Sequence, residues 1–273
     1  MKHASDSEPQ FFITHPQTCA YLPNRLERKI FTKLEPENGE FLNNTLSKQG
    51  FRRSQNILYR PACKGCTACF SSRIDVSKFQ KSKSQKRVVN KNRQVARSIK
   101  NPWATEEQYD LFKKYLNYRH IDGGMAGMEI YEFSAMIEET SIKSEVIEYY
   151  SNKIYSDPVL IGASLTDILD DGISMVYSFY DPELKQNSFG KYIILDHIEY
   201  AKQLGLPYVY LGYWVPNSEK MGYKSDFSGI EIFNDGVWQP LDIDCKLKLE
   251  PDQPEPITKQ VANLKLPNNF LGI

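Results

Sequence analysis

Apolar positions along the chain follow a helical period in some stretches and a strand period in others, which predicts a mixed α+β protein. The elements predicted in the first hundred residues are a helix over 39–49, strands over 51–60 and 70–76, and a helix over 84–99. The last helix is predicted because Val88, Val95 and Ile99 recur on one helical face, while lysines and arginines cover the rest.

The second half of the chain shows a different order of elements. Thr105 and Gln108 belong to a capping-box signature that opens a helix, and Ser188 is expected to cap another helix. The predicted elements are the helix from 105, strands over about 144–150, 158–168 and 172–180, a helix over 189–204 and a strand over 207–214. This order is expected of a Gcn5-related acyltransferase-like (GNAT-like) α/β domain.

The pattern divides the chain into segments. These are an N-terminal extension over 1–9, a small mixed domain with basic residues and cysteines over 10–100, an acyltransferase-like domain over 101–245 and a proline-rich tail over 246–273. No stretch approaches the roughly 20 apolar residues that a membrane helix needs. The first residues also lack the apolar segment of a signal peptide. We therefore expect a cytoplasmic monomer with no membrane partner.

The net charge is zero, but the charges are unevenly distributed. Residues 51–100 contain 14 Lys and Arg and one acid, Asp75, whereas the rest of the chain has an excess of acids. This concentration predicts a polyanion site, the alternative being a basic face that only keeps the protein soluble. Few aromatic residues interleave with the basic ones, which favours a folded RNA over a stacked single strand. The residues predicted to bind its phosphates are Arg60, Arg73, Lys83, Lys86, Arg87, Lys91 and Arg93.

Three cysteines, Cys63, Cys66 and Cys69, are spaced three residues apart, and Cys19 and Cys245 lie elsewhere. An odd number of cysteines without a secretion signal argues against a disulfide framework. Three thiols at this spacing chelate one metal when a fourth ligand arrives, and Cys19 is the candidate for that ligand. The spacing thus predicts a Zn or iron–sulfur site. The alternative is a turn stabilised by small buried cysteines without a metal.

Two further segments contain residue types suited to acyl-transfer chemistry. His120 and Asp122 precede a Gly123-Gly124 turn and have groups that position an amine or a ribose hydroxyl. A helix cap followed by a turn is the simpler explanation of the same residues. The aromatic segment 212–224 begins with a glycine, which permits close backbone approach. Its first residues also suit a core, so a binding role is favoured only for 217–224.

Seven segments between about residues 10 and 240 resemble one known family when taken together in this order. They are 19–23, 50–54, 59–69, 84–87, 119–125, 171–182 and 211–224. The chain resembles the bacterial aspartate/glutamate leucyltransferases, relatives of the eukaryotic arginyl-tRNA–protein transferases. One departure is visible after Lys224, where Ser225-Asp226 stands in place of a basic residue and a proline.

The resemblance implies a family N-terminal domain, an acyltransferase-like C-terminal domain, Leu-tRNA as donor and proteins beginning with Asp or Glu as acceptors. The product, with an N-terminal Leu, is routed to degradation. No cofactor beyond the aminoacyl-tRNA is required. The predicted phosphate-binding residues then serve as tRNA-binding residues. The alternatives are an arginyl-tRNA donor with the same acceptors, an acetyl-coenzyme-A-dependent N-acyltransferase, and a non-catalytic RNA-binding regulator with a cysteine metal site.

The reaction that the resemblance implies sets requirements for the site. An acidic side chain of the acceptor needs a cation, because an uncompensated buried carboxylate is costly. The predicted acceptor-binding residues are Arg52, Arg53, Lys220, Tyr223 and Lys224. The predicted proton relay is Tyr213, His120 or Asp122, and the rival mechanism uses a cysteine nucleophile. Since Arg52 and Arg53 alternate faces on a strand, only Arg52 is expected to share a face with Arg60.

Overall fold

The computed structural model describes residues 9–119, 125, 127–151, 158–216, 218, 220–242 and 255–266. Its strands are β1 (Phe11–Ile13), β2 (Gln17–Thr18), β3 (Leu26–Glu27), β4 (Lys29–Lys33), β5 (Arg52–Ser54), β6 (Ile57–Pro61), β7 (Phe70–Asp75), β8 (Val95–Lys100), β9 (Ser144–Ser151), β10 (Val159–Ile168), β11 (Gly172–Tyr180), β12 (Tyr208–Trp214), β13 (Ile230–Asn234) and β14 (Val237–Pro240). Its helices are α1 (Gly39–Ser47), α2 (Lys83–Lys91), α3 (Glu106–Arg119), α4 (Ile130–Glu138), α5 (Phe189–Gln203) and α6 (Ile257–Ala262), with 3₁₀ turns at Pro182–Asn187 and Gly222–Asp226. This mixture confirms the α+β class.

Contacts between residues divide the chain into two compact units. The first unit holds the described residues up to Arg73 and those from Leu211 onward, and the second holds those from Ile74 to Tyr210. Strands β7 and β12 each begin in one unit and end in the other. The division predicted at residue 101 is therefore not where these units part, since α2 and β8 belong to the second unit.

A sheet with the strand order β1-β4-β6-β5 lies in the first unit. Helix α1 buries Leu42 and Leu46, which recur at helical spacing, and the helix stops before Gly50. Gly50 has a φ of 83°, which glycine adopts without a Cβ clash, so the predicted helix and its stop are confirmed. The strand predicted over 51–60 is a hairpin of β5 and β6, because the chain turns back after Ser54.

The β5–β6 hairpin determines which face each arginine occupies. Arg52 pairs with Tyr59, and Arg53 pairs with Leu58. Directly opposed residues share a face of an antiparallel pair, so Arg60 lies on the face of Arg53. The expectation that Arg52 and Arg60 share a face is wrong. The reason is the two-residue turn between the strands, which sets even positions opposite odd ones.

Strands of the second unit follow the order β12-β11-β10-β9-β8. The predicted antiparallel meander of β9, β10 and β11 is confirmed, and β12 follows α5 and pairs parallel with β11. Helix α3 opens at the predicted capping box, in which Thr105 and Gln108 each accept from the other's backbone N–H. Its Phe112 ring packs 5.0 Å from Phe133 of α4 and 5.5 Å from Phe179 of β11.

The helix predicted over 84–99 is wrong beyond residue 91. Helix α2 begins at a capping box between Ser82 and Gln85 and ends at Lys91. The Asn92 side-chain amide donates to the Val88 carbonyl at 2.9 Å. It thereby supplies a hydrogen bond to a carbonyl in the last turn of the helix. Val95 then starts β8, which pairs antiparallel with β9. Pairing with β9 therefore determines the structure after residue 91, although Val88, Val95 and Ile99 recur at helical spacing.

Smaller differences from the predictions occur at helix ends and in the tail. Ser188 precedes α5 but makes no capping hydrogen bond, because its φ of 53° is left-handed whereas a capping side chain needs an extended backbone. Helix α4 was not predicted, since its capping box starts with Glu129 rather than with Ser or Thr. Helix α6 lies in the proline-rich tail, where no helix was predicted. Among the described residues, no helix combines the length and the apolar character that a membrane crossing requires.

Candidate functional site

A cavity of about 100 Å³ lies within the first unit, lined by the β2–β3 hairpin and the loop that follows β6. The structure brings together around it the cysteines that were predicted to bind a metal: Cys19, Cys63, Cys66 and Cys69. The Leu22 N–H donates to Cys19 Sγ at 3.4 Å, and Cys63 Sγ donates to the Arg28 carbonyl at 3.7 Å. The sequence spacing therefore predicts the clustering of these thiols correctly.

Burial governs the chemistry of the thiols. It raises the pKa of Cys63, and it raises the pKa of Cys69 to about 12, with the neighbouring thiols adding to both shifts. Because the thiolate is both the nucleophile and the metal ligand, a raised thiol pKa disfavours both roles. Among the residues that the structure describes, no group of three or more His, Cys, Asp or Glu is arranged to hold a metal ion. The donor set suits Zn or an iron–sulfur cluster, but the arrangement does not, and the metal site stays a prediction.

Charged side chains on the β3 side of the cavity were not predicted. Arg25, Arg28 and Lys29 line it together with Glu27. Lys29 Nζ lies 2.9 Å from Glu27 Oε1, and Arg28 Nε donates to the Thr14 carbonyl at 3.2 Å. The charged segment that begins six residues after Cys19 could have predicted this lining. It does not stand out in the sequence, because residues 51–100 contain many more basic residues.

Tyr213, the predicted proton relay, also lines the cavity. Its hydroxyl donates toward two backbone carbonyls, that of Tyr59 at 2.9 Å and that of Gly50 at 3.3 Å. Burial raises its pKa well above the usual value, and these contacts fix the ring in place. The geometry weighs against a proton relay and favours a structural role. His120 and Asp122, the other relay candidates, lie outside the described residues.

The predicted acceptor-binding cations have different environments. Arg53 is buried, and its Nη1 donates to the Gln55 carbonyl at 2.9 Å. Lys224 is buried as well, and its Nζ donates to backbone carbonyls of β12. Lys220 is exposed, whereas Arg52 is half-buried on the face of the hairpin that carries Tyr59. Tyr223 is half-buried beside Lys224 in sequence. Arg52 is therefore the predicted cation that combines partial burial with a place near a cavity-lining tyrosine.

The residues predicted to bind tRNA also divide into two groups. Lys83, Lys86, Arg87 and Lys91 of α2 and the following Arg93 are exposed; we call these five the α2 cations. Arg73, in contrast, is buried and pairs with Glu231 at 3.0 Å. The Arg60 guanidinium lies 5.1 Å over the Phe51 ring, and burial lowers its pKa. The burial of Arg73 and its pairing with Glu231 weigh against a phosphate contact at this residue.

We expect the alkylation rate of Cys69 to rise about tenfold per pH unit from pH 7 to 10 without a plateau, because a thiol with a pKa of about 12 exposes little thiolate in that range. Iodoacetamide labelling followed by mass spectrometry measures the rate, with the urea-unfolded protein as the control. An activated nucleophile would instead label quickly at pH 7 and level off below pH 8.

Comparison with known proteins gives consistent matches along the chain. Residues 17–87 match a family model described as "Arginine-tRNA-protein transferase, N terminus", and residues 107–234 match one described as "Arginine-tRNA-protein transferase, C terminus". The crystal structure of FemX superposes with a TM-score of 0.44 and 10% identity, covering 75% of this chain and 71% of that one.

Close relatives cover nearly the whole chain. An aspartate/glutamate leucyltransferase of Ruegeria pomeroyi is 57% identical over 99% of this chain and 98% of its own length. The corresponding protein of Dinoroseobacter shibae is 54% identical, with the same coverage of 99% and 98%. Identity at this level along the full length confirms the resemblance, and the chain belongs to the aspartate/glutamate leucyltransferase family of aminoacyltransferases.

Proposed function

We propose that the protein transfers leucine from Leu-tRNA to the N-terminal α-amine of proteins that begin with Asp or Glu, which marks them for degradation. The observation that carries this proposal is the 57% identity, over 99% of the chain, to a relative that is named for this activity. We further propose that the protein acts in the cytoplasm as a monomer.

The reaction needs little covalent chemistry from the protein. The donor is an ester that the tRNA already activates, and the acceptor amine, with a pKa of about 7.7–8.0, is partly neutral at cellular pH. Direct attack of the amine on the ester carbonyl forms the amide and breaks the ester C–O bond, and the proton that the amine loses ends on the released tRNA hydroxyl. The main task of the protein is to position two large substrates. The raised pKa values of Cys63 and Cys69 count against a cysteine nucleophile.

The α2 cations are the proposed contact for the tRNA backbone. They are exposed and lie within eleven residues of one another, on a helix and the turn that follows it. Gln85 of α2 is buried and completes the capping box, which fixes the start of the helix that carries four of these cations. Clustered cations on a rigid element release counterions from phosphates, which favours binding at low salt.

The proposed partner of the acceptor's acidic side chain is Arg52. A guanidinium presents a planar fork of donors that matches a carboxylate bidentately. Arg53 and Lys224 are buried and donate to backbone carbonyls, whereas Arg52 is partly exposed. This assignment places an Asp or Glu side chain against a partly desolvated cation, which discriminates against neutral residues.

Two alternatives concern the amino acid that is transferred and a metal bound by the cavity thiols. The family models are described by arginine-tRNA transfer, which favours an arginyl donor as the second candidate. The cavity thiols are of the ligand type that binds Zn or an iron–sulfur cluster, although they are not arranged as a metal site and the transfer step proposed here uses no metal. Elemental analysis and the visible absorption spectrum of the purified protein decide the metal question.

We expect purified protein to transfer radiolabelled Leu from Leu-tRNA to peptides that start with Asp or Glu, because only these place a carboxylate opposite the proposed cation. The assay compares Leu-tRNA with Arg-tRNA and includes Gln-starting and Lys-starting peptides as controls. Transfer of Arg in place of Leu would overturn the donor assignment. Transfer to the Lys-starting peptide alone would overturn the acceptor assignment.

We also expect that changing Lys86 and Arg87 together to Gln lowers the slope of log Kd against log salt for Leu-tRNA by about 0.7–0.9 per charge removed, since each phosphate contact releases counterions. Fluorescence anisotropy with labelled tRNA measures Kd between about 50 and 300 mM salt. Phosphate contacts weaken strongly over roughly this range. The matched control changes Lys33 and Lys259, two exposed cations outside α2, to Gln. An equal change of slope in the control would show that α2 is not the contact.

A further inference from the structure

Strand β12 is broken near its end by a glycine with an unusual backbone. Gly212 has a φ of 73°, in the left-handed region, although both neighbours belong to the same strand. Residues other than glycine rarely adopt this conformation, and in a strand it interrupts the regular direction of the carbonyls. Gly212 is buried, so this backbone conformation is not that of an exposed strand end.

The guanidinium of Arg52 lies directly against this glycine. A Cβ placed on Gly212 would lie 1.5 Å from Arg52 Nη1 and 2.6 Å from Arg52 Cζ. No side chain therefore fits at position 212 while Arg52 holds its position. The glycine supplies both the backbone conformation and the space that the guanidinium occupies.

Hydrogen bonds hold the carbonyls on each side of the break. Lys224 Nζ donates to the Leu211 carbonyl at 2.8 Å and also to the Tyr213 carbonyl. Ser72 Oγ donates to the Gly212 carbonyl itself at 2.8 Å. Three consecutive carbonyls are thus fixed by side chains, which keeps the broken strand in one conformation.

The lysine is suited to this structural task. Burial lowers the pKa of Lys224 well below its usual value, and the positive charge of Arg52 lowers it further. The amine donates to the Leu211 and Tyr213 carbonyls. Lys224 is therefore satisfied without a carboxylate, and its predicted role as an acceptor-binding cation passes to Arg52.

We propose that Gly212 and Lys224 are positioning residues that hold the Arg52 guanidinium as the group that selects an acidic first residue in the acceptor. This inference rests on the proposed function, because it assigns a selective contact for the same acceptor. A guanidinium presents its N–H donors in a planar fork, the geometry that a carboxylate matches bidentately. Held on a fixed backbone, the fork loses less conformational entropy when the carboxylate binds.

A double-mutant cycle on Gly212→Ala and Arg52→Ala tests the proposal. The readouts are kcat/KM for a Glu-starting and a Gln-starting peptide, KM for Leu-tRNA, and thermal unfolding. We expect Gly212→Ala to lower kcat/KM for the Glu peptide by roughly a hundredfold, since it displaces one partner of a desolvated charge pair, with KM for Leu-tRNA unchanged. In the Arg52→Ala background the same change should cost less than about threefold, because the displaced group is already absent.

A second glycine with a left-handed backbone provides the control. Gly236→Ala is the matched control, because Gly236 has a φ of 81° but no atom within 4 Å of its added Cβ, so it reports backbone strain alone. If Gly212→Ala does not fold, Lys224→Met replaces it in the same cycle. Arg52→Ala by itself must also abolish the preference for Glu over Gln, and Arg52→Lys must restore part of it.

Two kinds of failure are distinguishable. Equal losses from Gly212→Ala in both backgrounds, or an unchanged preference for Glu over Gln in Arg52→Ala, would overturn this inference while leaving transfer to acidic acceptors intact. Wild-type protein that transfers nothing to the Glu peptide would overturn the proposed function itself.

Discussion

The bonds from the Lys224 amine to two carbonyls of β12 are the constraint on which the candidate site depends. They hold a strand that a left-handed glycine would otherwise leave free to adopt several conformations. From this strand Tyr213 extends to the cavity, and against it rests the Arg52 guanidinium. A buried amine is costly to keep, and hydrophobic packing alone would stabilise a strand at lower cost. Its presence is understandable if the shape of this one segment matters for binding.

The cavity beside this strand has a chemistry set by burial. Burial raises the pKa values of the Cys63 and Cys69 thiols, and the Tyr213 hydroxyl is engaged with backbone carbonyls. Groups in this condition bind and orient, whereas they exchange protons poorly near neutral pH. Such a lining agrees with a reaction in which the ester arrives already activated and the protein contributes position and charge.

Much of the fold can be predicted from short sequence patterns, whereas the site can be predicted from them only in part. The capping box at Thr105, the stop at Gly50 and the β9–β11 meander are local features, and the sequence predicts them well. The end of α2 depends on pairing between β8 and β9, which are more than forty residues apart, and periodicity carries no information about such partners. The clustering of cysteines is visible in their spacing. The burial of Arg73 and Lys224 is not, because charged residues are expected at the surface unless a distant partner is known.

The role of Arg52 is tested most directly by a crystal structure of the protein bound to a short peptide that begins with Glu. We expect the Glu carboxylate within about 3 Å of the Arg52 guanidinium nitrogens, the usual distance of such pairs. Gly212 should keep its left-handed conformation, and Lys224 should remain bonded to the same two carbonyls. A carboxylate bound instead to Arg25, Arg28 or Lys220, with no contact to Arg52, would contradict the assignment.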